Sequence, residues 1–260
     1  MKIKVALGQM RITGSVDENL AKIKSLVAVA KRKRADAICF PECALSGYGP
    51  IHYDSPGELD RKKMDAAHSE IRNLARARRI AIISGTSLYT KGKWWNAALF
   101  VTKSGRIAHV YAKAHLTGGD KDFYAPGQEV KTFPFLGTRV GCQICLDQRF
   151  PELFRVLALK GAKIIFHPLY AVSRDTLWKR PVIDAHMRSR AAENSVFIVT
   201  VNRASITQNS TSRIYDPNGV LVAQSPLGRE DVAVGVLDLT RKYSQFIKSR
   251  RRDLADLRYK

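Results

Sequence analysis

Apolar residues recur along this chain in two alternating periods. Residues 3–9 (IKVALGQ) carry the period-2 alternation of a strand. Leu20, Ile23, Val27 and Ala30 then fall on one face of a helix, opened by Ser15 and Glu18 at capping-box spacing and closed by a basic run. ADAICF (35–40) reads as a short buried strand ended by Pro41, and a charged helix is predicted over about 59–78. Strands follow at 79–90, 96–102 and 106–112, with Gly92 and Ser104-Gly105 as hairpin turns, before a polar, glycine-bearing loop at 117–129.

TFPFL (132–136) and TRVGCQIC (138–145) pair across Gly137, and the helix after Phe150 ends at Gly161. AKIIFHP (162–168) is a strand, and residues 175–194 read as a helix in which Pro181 marks a kink or restart. Strands at 195–202, 210–215, 219–225 and 231–239 complete the pattern. Strands alternating with helices, plus several hairpins, predict an α/β protein of mixed sheets covered by helices rather than one parallel sheet. No repeat, low-complexity tract or linker interrupts residues 1–260, so a single domain is expected.

Composition narrows the class. Hydrophobic residues at 45% suffice for a core, and no apolar run approaches the roughly 20 residues of a membrane helix. MKIKVALGQM is too short and strand-like for a signal peptide, which predicts a cytoplasmic protein. The net charge of +21 is spread along the chain, with runs at Lys31 to Arg34, Arg76 to Arg79 and Arg250 to Arg252. No nucleic-acid reading motif accompanies them, so solvated helix ends are the expectation and nucleic acid is expected to bind only non-specifically. The pairs Cys39 with Cys43 and Cys142 with Cys145 lie too far apart for a zinc ribbon, and no metal is expected. Cys142 should face the core, and reduced thiols suit a cytosolic enzyme.

Chemistry gathers at strand ends. FPECALSGY (40–48), VYAKAHL (110–116) and GCQICLDQRFPELFR (141–155) place Glu42, Lys113 and Cys145 where apolar runs stop. Each alone has an ordinary reading: a helix-entry carboxylate, a loop cation, a buried thiol. Together they would bring a carboxylate, an ammonium and a nucleophile to one rim.

In these motifs the chain resembles the nitrilase superfamily of carbon-nitrogen hydrolases, from KVALGQM to the SRIYDPNGVLVAQS region. The resemblance implies an αββα four-layer sandwich, a homodimer or higher homo-oligomer, and a basic tail (240–260) reaching a subunit interface. It implies no cofactor. Cys145 would attack the carbonyl carbon of a small amide or N-carbamoyl compound, with Lys113 and the Leu146 N–H holding the oxyanion and Glu42 moving the protons. The family's second glutamate falls on Asp120, one methylene shorter, or on Asp122 if the loop register slips. Its role would then be kept, shifted or lost, and its loss would leave a catalytically silent binding protein. Ser210 stands where relatives often have glycine ahead of a serine such as Ser212. Leu146-Asp147, where true nitrile hydrolysers usually carry Trp-Glu, favours amides over nitriles. Arg149 would anchor a substrate carboxylate, or else bridge to Glu152. Tyr48, Phe123, His167, Pro168 and Tyr170 lie in segments expected to ring the pocket.

Overall fold

The computed structural model describes residues 1–249. In chain order the elements are β1 (Lys2–Gln9), α1 (Val16–Arg32), β2 (Ala37–Cys39), α2 (Gly49–His52), α3 (Arg61–Arg78), β3 (Ala81–Thr90), β4 (Lys93–Val101) and β5 (Ile107–Ala112). There follow α4 (Asp120–Phe123), β6 (Phe133–Phe135), β7 (Thr138–Cys142), α5 (Pro151–Leu159), β8 (Ile164–Leu169), α6 (Lys179–Asn194), β9 (Phe197–Asn202), β10 (Arg213–Tyr215), β11 (Leu221–Gln224) and β12 (Asp231–Asp238). They build two six-stranded mixed sheets, in the orders β12-β1-β2-β3-β4-β5 and β11-β10-β9-β8-β7-β6.

Period-2 alternation explains the layers. In β1 to β3, Val5, Leu7, Ala37, Cys39, Ala81 and Ile83 point into a core shared by both sheets. Their neighbours Ala6, Ile38 and Ile82 point outward, under α1 and α3, into a second core with Ile23, Val27 and Ile71. The other sheet repeats the device: Phe166 and Val199 enter the shared core, whereas Ile165 and Ile198 pack beneath α5 and α6. Strands apolar on both faces need helices outside, and the result is the αββα sandwich. Each fully buried Ile, Leu or Phe contributes about 1.5–3 kcal/mol.

Several boundaries differ from the sequence reading. The loop after Lys113 contains α4, a helix too short to leave a periodic trace. The expected helix at 175–194 begins as α6 only at Lys179, so Pro181 lies in its first turn, where a missing N–H is tolerated. β7 stops at Cys142, three residues before Cys145. β10 is confined to Arg213–Tyr215. Among the described residues no helix is long and apolar enough to cross a membrane. The basic tail expected at a subunit interface, 240–260, lies largely outside the described residues.

Candidate active site

After β2 the chain bends sharply, leaving Glu42 in the bend and Cys43 with a left-handed φ of 52°. The bend lies flat on β3, where the Leu45 N–H donates to the Gly85 carbonyl at 3.0 Å. A Cβ at Gly85 would stand 2.1 Å from the Pro41 carbonyl oxygen and 2.7 Å from the Glu42 Cα. Only glycine lets the carboxylate approach this closely. Lys113 is fixed from both sides: its N–H donates to the Asn96 carbonyl and its carbonyl accepts from the Gly127 N–H, each at 2.8 Å.

These placements put two fully buried side chains together. Lys113 Nζ lies 2.7 Å from Glu42 Oε1 and 2.6 Å from Asp120 Oδ2. α4 carries Asp120 inward, so the shorter acid reaches the ammonium; Asp122, the other candidate, is exposed. Asp120 also accepts from the Tyr48 hydroxyl at 2.8 Å and the Thr117 N–H at 2.9 Å. Asn96 Nδ2 donates to Glu42 Oε1 at 2.7 Å. Glu42 Oε2 is buried and has no hydrogen-bond partner among the described residues.

Electrostatics separate the two acids. Burial raises the Glu42 pKa above its ordinary 4.5, an effect that the nearby Lys113 ammonium only partly offsets. For Asp120 burial pushes the same way, but Lys113 and the Thr117 and Tyr48 hydrogen bonds outweigh it and hold the carboxyl below 3.8. Burial works against the Lys113 charge, yet the Glu42 and Asp120 carboxylates around it keep the pKa well above 10.5. Two carboxyls on one ammonium thus take different roles, one a fixed anion and the other a group able to take up a proton.

Cys145 follows β7 after two further extended residues, with the Gln143 N–H on the Phe166 carbonyl at 3.0 Å. Its own φ of 46° is left-handed, which turns the thiol out of the strand line. Strain of this kind persists only where the surroundings impose it. Asp147 does so: one oxygen accepts from the Ile144 N–H and the Tyr111 hydroxyl, the other from the His115 N–H, each at 2.9 Å. The cysteine turn is thereby tied to the segment following Lys113. Burial first, then the Glu42 charge, pushes the Cys145 thiol up, with Lys113 opposing, so the resting group is a neutral thiol beside a carboxyl.

His167 and Pro168, expected on the pocket wall, are buried within β8. His167 Nε2 lies 3.2 Å from the Cys145 carbonyl and Nδ1 lies 3.0 Å from Thr200 Oγ1. Burial lowers its pKa to about 4. The neutral ring therefore has one N–H, which must sit on Nε2 facing the carbonyl, while Nδ1 accepts from Thr200. His167 seats the cysteine turn from below and does not line the cleft.

A cleft of about 290 Å³ opens over Cys145, with Leu146, Gln148, Arg149 and Tyr170 among its walls. Tyr170 packs against Tyr48, ring centroids 4.8 Å apart, and its hydroxyl accepts from Arg203. Tyr48 and Phe123 are buried behind this wall, and Tyr48 serves Asp120. Arg149 is exposed at the rim, and among the described residues no carboxylate, Glu152 included, pairs with it. Ser210 has no left-handed φ, so glycine is not required there. Ser212 accepts from the Asn202 N–H at 3.0 Å and donates to Gln9 at 2.9 Å. Sequence reasoning missed Asn96, the Asp147 tie and Gly85. Of these only Gly85 left a signal, a glycine inside an otherwise apolar strand.

Comparison with known proteins adds the following. The family model described as carbon-nitrogen hydrolase matches residues 4–245. A nitrilase from Pyrococcus abyssi is 30% identical over 229 residues, covering 86% of this chain and 84% of that protein. A citrullinase from Francisella tularensis is 27% identical over 287 residues, covering 98% and 97%. The crystal structure of a carbon-nitrogen hydrolase from Helicobacter pylori superposes with a TM-score of 0.87 at 22% identity, covering 97% of each chain.

Proposed function

This chain belongs to the carbon-nitrogen hydrolase family, and from that premise we propose that it cleaves a non-peptide carbon–nitrogen bond in a small amide or N-carbamoyl compound through a thioester on Cys145. The observation that carries the proposal is the partnerless, buried Oε2 of Glu42, set against a neutral thiol and anchored by Lys113.

The steps follow from these positions. Glu42 takes the proton from Sγ as sulfur attacks the carbonyl carbon, and the oxygen that becomes anionic is met by the Lys113 ammonium and the Leu146 N–H. The carbon–nitrogen bond breaks as Glu42 returns the proton to nitrogen, releasing ammonia or an amine. Water then gives a proton to Glu42 and attacks the thioester; the carbon–sulfur bond breaks and the thiol recovers its proton. Asp120 stays ionised throughout and keeps Lys113 charged.

The tight Asp120–Lys113 contact supports this reading over a catalytically silent binding protein, since the shortened acid was the reason to consider one. Leu146-Asp147 supports amides over nitriles, and Arg149, unpaired at the rim, suits a substrate carboxylate. Free thiols at all four cysteines support a cytoplasmic setting. Family membership supports a homo-oligomer. The test is ammonia release from a panel of amides, N-carbamoyl amines and amino acids, and nitriles, with Cys145→Ala alongside. Release from one amide or carbamoyl class, lost in the variant, is the expected result. Undiminished release by the variant, or release from nitriles alone, would overturn the proposal.

A further inference from the structure

The catalytic reading leaves the net charge of +21 without a use. The structure shows that this charge is not evenly balanced. Glu42, Lys113 and Cys145 occupy the end of the sandwich where β2, β5 and β7 finish. α1 and α3 run back along the strands, so both finish at the opposite end, with Arg32 and Arg34 closing one and Arg78 and Arg79 the other. The turn between β4 and β5 brings Lys103 and Arg106 alongside, held by Arg72 Nε on the Gly105 carbonyl at 3.1 Å.

All six cations are exposed, and among the described residues none pairs with a carboxylate. The near ends of the same helices behave differently: Asp17 pairs with Lys63 at 2.7 Å and Asp65 with Arg61 at 3.9 Å. Beside the six cations lies a depression of about 460 Å³ whose wall includes Lys2, Lys31, Arg79 and Lys103. Asp36 is its one carboxylate among the described residues, and one of its oxygens already accepts from the Lys4 N–H at 2.8 Å. Helix dipoles favour cations in a last turn, which accounts for some of the arginines. They do not account for Lys103 and Arg106 in a hairpin turn, nor for the scarcity of acids. Like charges gathered on one face repel each other unless a counter-charge settles there.

We propose that this far end of the sandwich is a docking surface for the phosphodiester backbone of nucleic acid, separate from the catalytic cleft. The depression decides the partner: a phosphodiester strand can lie in it against Lys31, Arg79 and Lys103, with Lys2 held by Asp238 at 3.7 Å, whereas a flat anionic bilayer spans its mouth without following its floor. Among the described residues no exposed aromatic ring lines it, so bases are not read and binding is independent of sequence.

The experiment measures binding of the full-length protein to a fluorescent 20-mer, as RNA and as DNA, single-stranded and duplex, across a salt series including about 0.15 M. The variant is Arg32→Gln, Arg78→Gln, Lys103→Gln and Arg106→Gln combined, none of whose side chains makes a hydrogen bond among the described residues. Lys24→Gln with Lys63→Gln is the control from the paired surface. The parent should bind with a steep salt dependence, and the fourfold variant should lose at least about tenfold in affinity and flatten the salt slope by about one per lost contact. Its amide hydrolysis should equal the parent's, so failure here stays distinct from failure of the catalytic reading. The four nucleic-acid arms show whether RNA or DNA is the better source of the backbone. Parent-like binding by the fourfold variant, an equal loss in the control, or tighter binding to phosphatidylserine vesicles than to any nucleic acid would overturn the proposal.

Discussion

Asp184 and Glu42 are both gripped by cations, and they differ in what is left over. Asp184, on α6, is partly exposed: one oxygen meets Arg213 at 2.6 Å and the Tyr215 hydroxyl, the other meets Arg188 Nε at 2.9 Å. Nothing on it is spare, and its pKa is lowered. Glu42 is wholly buried, its Oε1 takes both Lys113 and Asn96, and its Oε2 takes nothing among the described residues. Its pKa is raised. A saturated carboxylate ties elements together, whereas a buried carboxylate with an idle oxygen costs stability and is kept where that oxygen has work.

The sharpest way to break this contrast is Glu42→Gln. Glutamine preserves the shape and the contact with Asn96 but cannot shuttle a proton, so kcat should fall by about 10³ or more at nearly unchanged melting temperature. In the parent, kcat/KM should decline on the acid side as Glu42 takes up a proton, with a midpoint above 4.5. Asp120→Asn should lower kcat/KM less, by about 10²-fold, because Lys113 keeps Glu42 as a partner while losing the anion that fixes it. Rates equal to the parent's would show that the shorter acid is idle.

Gly85→Ala tests the bend itself. The added methyl overlaps backbone at Pro41 and Glu42, so denaturant melts should show a loss of about 3 kcal/mol together with reduced activity. Asp184→Asn should have the smallest effect. Activity should stay within about twofold, and stability at neutral pH should drop by about 1 kcal/mol, given the exposure of Arg188. The sign with pH follows from the lowered pKa: the contribution is present above the unfolded value, roughly 3.9, and lost as pH falls through the folded value. Melts of parent and variant should therefore converge once pH has fallen through the folded value, which lies below the ordinary 3.8. A constant gap would mean that the effect is packing and not charge.

Much of this was legible in the chain. Strands alternating with helices, plus several hairpins, foretold mixed sheets covered by helices, and Glu42, Lys113 and Cys145 stood at the ends of apolar runs. Strand order and the meeting of the two sheets were not legible, since period-2 patterns carry no information on which strands pair. α4 was hidden because four residues make a single turn, and with it the reason Asp120 reaches Lys113. His167 was misplaced as a wall residue because a histidine at a strand end looks the same from the sequence whether it points to solvent or beneath the neighbouring turn. The extended run through Ile144 concealed that β7 stops at Cys142, and no local signal announces a left-handed cysteine. Gly85 could have been read: an interior strand glycine asks what lies against it.

The proposed mechanism requires that Cys145 becomes acylated. Rapid quenching of the enzyme during turnover of the best amide in the panel, followed by peptide mass spectrometry, tests it directly. The expected result is the acyl mass on the peptide containing Cys145, absent in Cys145→Ala. An acyl group on another residue, or turnover persisting in Cys145→Ala, would contradict it.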